Sequence, residues 1–237
     1  MLFFLNPLPS ENEEFRLSPE EQSHFYALRP NIGDSVTVSD GKRNYAQSVI
    51  TGADKKGFIL TIGESKPIPE SKNKTTLLIP LLKSDKNETV IQKATELGID
   101  EIVFFVSDNC IVGAEKTEKK LQRYEKIVLS AAMQCKRLLL PSIKGVVGFD
   151  EALNILTKEN GFICYEKADK LLSAYLGETD LSVTAFMTGP EGGFSNAEAQ
   201  KAAEHNIPLI SLGERILRAE TAPICVLAVI RAFTSEM

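Results

Sequence analysis

Residues 188–198 read TGPEGGFSNAE, and this stretch determines how the second part of the chain is built. It follows the apolar run VTAFM (183–187), whose length and composition are those of a buried strand. It leads into Ser195, with Glu198 three residues later, and this capping-box spacing predicts the start of a helix. Three glycines and a proline therefore connect a predicted strand to a predicted helix.

On both sides of this loop, short apolar runs alternate with helical segments. The predicted strands are TTLLIPLL, DEIVFFV, GFICYE, VTAFMTG and IPLISLG. The predicted helices fall within 84–98, 117–138, 195–205 and 221–234, where apolar residues recur on one helical face. Apolar strands separated by helices indicate a parallel sheet that is covered on both faces. We therefore expect an α/β domain.

The residues before this domain predict a small β-rich unit with one helix. The segment LSPEEQSHFYALRP (17–30) carries a capping box that begins at Ser18, and a proline ends it. Asp40 and Gly41 separate two alternating segments, which predicts a hairpin with a two-residue turn. Further along, GFILTI supplies one more predicted strand.

The boundary between the two parts falls in GESKPIPESKNK (63–74), which is polar, contains proline and shows no periodicity. Segments of this composition commonly link domains. We therefore predict one domain over residues 1–72 and another over residues 73–237.

The net charge of −5 argues against a protein that coats nucleic acid without selectivity, because such binding depends on neutralising many phosphates. One segment differs from the rest of the chain. Residues 116–137 carry seven lysines or arginines and two glutamates. This segment is either a solvated helix face or a local basic surface.

The cysteines and the hydropathy give expectations about metals and cellular location. No two cysteines form a CxxC pair, so we expect reduced thiols, mostly in the core, and no metal site. No apolar run approaches the roughly 20 residues that span a bilayer, and the first residues lack the basic segment of a signal peptide. We expect a cytoplasmic protein with no membrane contact.

The glycine-rich loop lies where α/β sheets bind ligands, beyond the carboxyl end of a strand. Glycine lets the backbone approach a ligand closely, although a tight connection without a ligand would also use it. The patterns GxxxxGK[ST] and GxGxxG are absent, which argues against a nucleotide phosphate. A serine nucleophile at Ser195 is also disfavoured, because His205 lies in the same helix, roughly 15 Å away.

A second loop, SLGERILRAETA (211–222), joins the last predicted strand to the last predicted helix. Arg215, Arg218 and Glu220 lie close together in it. Such a charge cluster is costly if it is buried without a role. It is therefore either a functional group of side chains or a surface ion-pair cluster.

These residues carry a resemblance to a known family. TGPEGGFS..E (188–198), followed by LGERILRAETA (212–222), resembles the paired signature of the ribosomal RNA small subunit methyltransferase E family, among the SPOUT methyltransferases. The segment QKATELG (92–98) is also similar, and the likeness extends from end to end. It implies a small N-terminal PUA-like β-barrel, a C-terminal SPOUT-type parallel sheet with a deep trefoil knot, and a homodimer.

The resemblance also implies a cofactor, S-adenosylmethionine, and a reaction, the methylation of N3 of a uridine in 16S ribosomal RNA of the small subunit. Arg218 is the hypothesised catalytic residue, because a guanidinium can stabilise the uridine anion. Glu191 or Glu220 is expected to orient an arginine or accept the proton. The implied cofactor-binding residues are Thr188, Gly189, Pro190, Gly192, Gly193, Leu212, Gly213, Ile216 and Leu217.

RNA recognition is expected from the barrel together with the basic helix. The candidate RNA-binding residues are Arg16, Arg29, Lys42, Arg43 and Arg137. The chain departs from the family at SDNCIV (107–112), where members often carry an arginine, and at Ser130 and Met133, where many carry glutamates. Two other functions stay open: a non-catalytic RNA-binding assembly factor for ribosomes, and a SPOUT methyltransferase that acts on another RNA position.

Overall fold

A computed structural model describes residues 1–18, 29–54, 57–83 and 85–235. The chain forms two compact units, and each contains two stretches of sequence. The first unit comprises Met1–Glu70 and Ala132–Leu140, and the second comprises Ser71–Ala131 and Pro141–Met237. The sequence did not indicate that 132–140 belongs with the first unit. The helix predicted within 17–30 lies outside the described residues.

The first unit is built on a six-stranded sheet. Its strands are β1 (Leu2–Phe4), β2 (Glu14–Arg16), β3 (Ser35–Ser39), β4 (Asn44–Asp54), β5 (Gly57–Thr61) and β6 (Ser65–Pro67). The strand order is β1-β3-β4-β5-β2, and β6 pairs with β4. Only β1 and β3 run parallel among these pairs. Alternate residues of β3 and β4, among them Val36, Val38 and Ala46, point into the core of this unit.

The hairpin predicted at Asp40 and Gly41 is present, but its connection spans residues 40–43 instead of two residues. The longer connection forms because Asp40 Oδ1 accepts hydrogen bonds from the backbone N–H groups of Lys42 (2.8 Å) and Arg43 (2.7 Å). Gly41 has a φ of +74°, and a Cβ there would lie 2.8 Å from Leu140 Cδ1. The positive φ therefore favours glycine at this position, and a larger residue would also displace the end of the Leu140 side chain.

The second unit contains the predicted parallel sheet. Its strands are β7 (Lys74–Pro80), β8 (Glu101–Phe105), β9 (Ser142–Val147), β10 (Phe162–Cys164), β11 (Val183–Met187) and β12 (Leu209–Ile210). The order is β12-β10-β11-β7-β8-β9, and every neighbouring pair is parallel. The expected α/β fold with a parallel sheet is confirmed. The sequence analysis missed β9 at the sheet edge.

Seven helices lie in the described part of the chain: α1 (Lys86–Glu96), α2 (Ala114–Glu118), α3 (Leu121–Cys135), α4 (Phe149–Lys158), α5 (Leu172–Glu178), α6 (Asn196–Glu204) and α7 (Thr221–Thr234). The helix predicted over 117–138 is therefore divided, and its second part ends where Lys136 adopts a φ of +62°. Helices α4 and α5 were not predicted. None of these helices combines the length and apolar character that a membrane span requires.

A buried arginine connects α7 to the end of α1. The side chain of Arg231 is 3% exposed. It donates hydrogen bonds to the carbonyl oxygens of Leu97 (3.2 Å), Asn73 (3.3 Å) and Gly98, and it lies 3.4 Å from Asp100 Oδ2. Carbonyl groups at a helix end have no partner within the helix. Arg231 supplies that partner for α1.

Candidate functional site

Three loops leave the carboxyl ends of adjacent parallel strands, and a cavity of about 980 Å³ lies among them. The loops follow β10 at Tyr165, β11 at Thr188 and β12 at Ser211. Because the three strands are neighbours in the order β12-β10-β11, their loops meet at one edge of the sheet. This edge is where ligands bind in open α/β sheets.

The structure brings the predicted cofactor-binding residues together around this cavity. All nine line it: Thr188, Gly189, Pro190, Gly192, Gly193, Leu212, Gly213, Ile216 and Leu217. Two of the predicted catalytic residues, Arg218 and Glu191, also line it. Glu220 does not line the cavity, although it lies in the same loop as Arg218.

A tight turn shapes the glycine-rich loop. The N–H of Gly193 donates to the carbonyl oxygen of Pro190 at 2.9 Å, and Gly193 has a φ of +70°. Phe194 is buried and stacks on Phe105 with ring centroids 6.3 Å apart. The aromatic ring therefore anchors the loop in the core while the glycines face the cavity.

The segment after β8 supports the same loop, a role that the sequence analysis missed. Asn109 Nδ2 donates to the carbonyl oxygens of Gly192 (3.3 Å) and Gly193 (2.9 Å). Asp108 Oδ2 accepts a hydrogen bond from Ser195 Oγ at 2.6 Å. These contacts are made by residues within SDNCIV (107–112). The local sequence gave no signal for them, because their partners lie more than 80 residues away.

The capping box at the start of α6 is confirmed. Ser195 Oγ accepts from the N–H of Glu198 at 3.1 Å, and Glu198 Oε2 accepts from the N–H of Ser195 at 2.9 Å. His205 lies at the other end of the same helix, where its ring contacts the carbonyl oxygen of Lys201. Ser195 therefore caps a helix, and His205, the histidine that the structure describes, lies at the far end of that helix.

Thr188 places an unsatisfied polar atom at the cavity. Its side chain is 1% exposed, and the described part of the chain offers its Oγ1 no hydrogen-bond partner. A buried hydroxyl without a partner is costly. This atom is therefore suited to a hydrogen bond with a polar ligand.

Lys86, at the start of α1, lies at the cavity and pairs with both predicted glutamates. Its Nζ lies 3.1 Å from Glu191 Oε1 and 3.2 Å from Glu220 Oε2. The first contact is a hydrogen bond, and the second is an ion pair outside hydrogen-bond geometry. Lys86 was not among the residues that the sequence predicted for this site, so it is an addition to them.

Hydrogen bonds in this arrangement lower the pKa values of both Glu191 and Glu220. Burial by itself would raise the pKa of Glu191, but hydrogen bonds from its own N–H, from Lys86 and from the N–H of Lys83 lower the pKa overall. The pKa of Glu220 is lowered by its own backbone N–H and by Lys86. A carboxylate with a lowered pKa is a weaker base. Both glutamates pair with Lys86. The sequence-based expectation was that one of them would orient an arginine or accept the proton.

Arg218 and Glu166 both place charged groups at the cavity, and the positive charge of Arg218 also helps to lower the pKa of Glu220. Arg218 is exposed and lines the cavity, while its carbonyl oxygen accepts from the N–H groups of Thr221 (2.9 Å) and Ala222 (3.0 Å). The backbone of Arg218 is therefore fixed at the start of α7. Glu166 follows β10, and a Cβ added at Gly193 would lie 3.7 Å from Glu166 Oε1.

All five predicted RNA-binding residues belong to the first unit. Lys42 and Arg43 are exposed on the connection between β3 and β4. Arg16 pairs with Asp54 through two contacts of 2.6 and 3.0 Å, so its guanidinium is already engaged. Arg29 is exposed, and Arg137 is half-buried just after α3.

The cysteines are free thiols, but only Cys164 is buried. The expectation of mostly core thiols was therefore wrong for Cys110, Cys135 and Cys225, which are half-buried. Burial raises the pKa of Cys164, which lines the cavity, so its thiol stays protonated. Across the described ranges, no group of histidine, cysteine and acidic side chains is arranged to hold a metal ion.

Comparisons with known proteins agree with this geometry. A family model described as an RNA methyltransferase domain matches residues 69–231. The ribosomal RNA small subunit methyltransferase E of Mesomycoplasma hyopneumoniae is 37% identical over 231 residues, which cover 95% of this chain and 96% of that protein.

Two solved structures are similar over nearly the whole chain. A ribosomal RNA small subunit methyltransferase E from Neisseria gonorrhoeae, solved with S-adenosylmethionine, is 30% identical with a TM-score of 0.84, covering 98% of this chain and 96% of that one. A Legionella pneumophila protein solved with the same cofactor is 29% identical with a TM-score of 0.82 and the same two coverages. This chain belongs to the ribosomal RNA small subunit methyltransferase E family.

Proposed function

We propose that the protein uses S-adenosylmethionine to methylate N3 of one uridine in 16S ribosomal RNA of the small subunit. The observation that carries this proposal is the convergence of all nine expected cofactor contacts and Arg218 on one cavity. The resemblance of the two signature loops supports the choice of cofactor and of reaction.

The residues of the cavity fit S-adenosylmethionine. The adenosine of this cofactor carries no phosphate, so it suits a site made largely of backbone groups. Gly189, Gly192 and Gly193 leave the backbone accessible, and the Thr188 hydroxyl has no other described partner. We propose that these residues, with the loop after β12, hold the cofactor.

When bound, S-adenosylmethionine would supply an electrophilic methyl group. The protein must then favour the uridine base in its deprotonated form, because N3 carries a proton and is a weak nucleophile. Loss of that proton spreads negative charge onto O2 and O4. A guanidinium can donate to this anion, and that of Arg218 is exposed at the cavity.

Further properties expected from the family are also proposals for this chain. They are a deep trefoil knot, a PUA-like barrel, a homodimer, a cytoplasmic location, and a domain boundary between residues 72 and 73. We also propose that RNA is bound by Arg16, Arg29, Lys42, Arg43 and Arg137. Of these, Arg29, Lys42 and Arg43 are exposed, whereas Arg137 is half-buried and Arg16 is paired with Asp54.

Nucleotide mapping by mass spectrometry tests the proposed reaction. Small-subunit RNA from cells that lack the protein should lose one 3-methyluridine, and the purified protein with S-adenosylmethionine should restore it. Naked RNA and assembled subunits should be compared as substrates. An unchanged 3-methyluridine content would overturn the assignment. Loss of a different methylated nucleotide would favour another RNA position, and no change in any methylation would favour a non-catalytic assembly factor.

Glu166→Gln should weaken the binding of S-adenosylmethionine by about fivefold and affect the demethylated product less. The reason is that Glu166 lines the cavity as a carboxylate, and the sulfonium of the cofactor is positive whereas the sulfur of the product is neutral. Isothermal titration calorimetry with both compounds measures the two affinities. Glu178→Gln, which alters an exposed carboxylate away from the cavity, is the control. Equal effects on the two compounds would contradict the prediction.

A further inference from the structure

Lys86 contacts both signature loops although it belongs to neither. We propose that Lys86 is a positioning residue that holds these two loops at the spacing required to bind the cofactor. This inference rests on the proposed function, because it assigns a role in the same site. It concerns a residue of α1, which lies in neither the glycine-rich loop nor the arginine-containing loop.

The two carboxylates that meet Lys86 come from different loops. Glu191 lies between Pro190 and Gly192, in the turn that follows β11. Glu220 lies directly before α7, two residues after Arg218. One ammonium group therefore joins the loop of the glycines to the loop of the arginine. If that group is removed, two carboxylates remain near each other without a cation between them.

The local environment makes this contact stronger than an ordinary surface ion pair. The side chains of Lys86, Glu191 and Glu220 are 31%, 25% and 19% exposed, so each is largely shielded from water. Because water has limited access to these charges, their attraction is screened less than it would be at an open surface. Lys86 forms two ion pairs, but the entropy of its side chain is lost only once. The backbone N–H of Lys83 also donates to Glu191 Oε1 at 3.2 Å, which adds a second connection at the same end of α1.

The helix that carries Lys86 provides a fixed support. Val90 and Ile91 are buried in the middle of α1, and Arg231 holds its far end through the carbonyl oxygens of Leu97 and Gly98. Lys86 therefore connects two loops to a helix that is held in its middle and at its far end. A loop contact of this kind sets the width of the cavity.

Lys86 is suited to positioning and not to proton transfer. Its hydrogen bond to Glu191 is the main reason that its pKa is raised, with a further contribution from Glu220. A lysine with a raised pKa stays charged at neutral pH and is a poor proton donor. Its expected effect is therefore on the binding of the cofactor and on the mobility of the loops.

The test compares three variants of the full chain. Lys86→Met should weaken S-adenosylmethionine binding at least tenfold, whereas Lys86→Arg should stay within about threefold of the wild type, because it keeps the charge. Lys93→Met is the matched control, because Lys93 lies on the same helix and pairs with Glu96 outside the cavity. The control should bind like the wild type. Isothermal titration calorimetry measures these affinities.

Hydrogen–deuterium exchange without any cofactor gives a second readout. In Lys86→Met, both 188–194 and 212–220 should exchange faster than in the wild type, while the control variant should not change in either segment. Faster exchange in one loop only would overturn the proposal, because a positioning residue must affect both. Unchanged exchange and unchanged binding would also overturn it.

A double-mutant cycle separates this role from a general loss of stability. When Glu191→Gln and Glu220→Gln are already present, adding Lys86→Met should weaken cofactor binding by less than about twofold more. If Lys86→Met weakens cofactor binding by the same factor in this background as in the wild type, the proposal is contradicted. If the wild type itself fails to bind S-adenosylmethionine, the proposed function fails. If the wild type binds and Lys86→Met binds equally well, only the inference about Lys86 fails.

Discussion

Arg218→Ala should lower the rate of methyl transfer about 100- to 1,000-fold and leave the affinity for S-adenosylmethionine within about threefold of the wild type. The expected loss is large because the guanidinium would stabilise charge that develops only during the reaction. Binding of the cofactor should survive, because the backbone of Arg218, which fixes the start of α7, is unchanged. Transfer of a labelled methyl group measures the rate, and calorimetry measures the affinity.

Arg218→Lys is the matched variant for this prediction. It keeps the positive charge but loses the planar pair of donors, so its rate should fall between those of the wild type and Arg218→Ala. A rate near that of the wild type in Arg218→Ala would remove the arginine from the mechanism. An equal loss of rate and of cofactor affinity would reassign Arg218 to binding.

Arg231→Ala should lower the free energy of unfolding by about 3–5 kcal/mol. The substitution removes one partner of Asp100, whose Oδ2 also accepts from the N–H of Thr75, and a donor to three carbonyl oxygens near the end of α1. The surrounding structure keeps these oxygens largely away from water. Denaturant titration, followed by circular dichroism, measures the change. This is the largest stability effect that we expect from a single charged residue in the described part of the chain.

Arg123→Ala is the control for this stability prediction. Arg123 pairs with Glu88 at 2.7 Å, but its side chain is 64% exposed, so its removal should cost less than about 1 kcal/mol. Similar costs for the two variants would mean that burial does not decide the contribution of Arg231. If Arg231→Ala lowers the free energy of unfolding by less than about 1 kcal/mol, the conclusion that Arg231 stabilises the end of α1 is contradicted.

Much of the second unit could be predicted because its apolar runs are local signals. Strands β7, β8, β10, β11 and β12 are short buried runs, and the capping box at Ser195 fixed the start of α6. The cavity followed from these elements, since glycines and arginines stood directly after the strand ends. Local pattern and the known behaviour of parallel sheets were sufficient there.

Other elements were missed because their signals are weak or distant. Strand β9 (Ser142–Val147) lies at the sheet edge, and its side chains are half-buried or exposed, so no apolar run marks it. The sequence around Lys86 shows only an ordinary helical pattern, and its partner Glu191 is 105 residues away. The sequence could not show such a contact, because it forms only when distant loops meet at one edge of the sheet.

The hairpin after β3 shows how side-chain chemistry changes a prediction. Asp40 and Gly41 fit a two-residue turn by composition. The Asp40 carboxylate, however, accepts hydrogen bonds from three backbone N–H groups, and the connection is longer than two residues. This lengthening leaves Lys42 and Arg43 exposed on the connection. A structural detail that the turn rule missed therefore supports the choice of these two residues as RNA contacts.

Hydrogen–deuterium exchange of the wild-type protein, with and without S-adenosylmethionine, tests the central claim most directly. The claim is that the loops after β11 and β12 together enclose the cofactor. Saturating cofactor should slow exchange in 188–194 and in 212–219, and leave the sheet of the first unit unchanged. Folded protein that shows no protection in either loop, or protection confined to another part of the chain, would contradict the account.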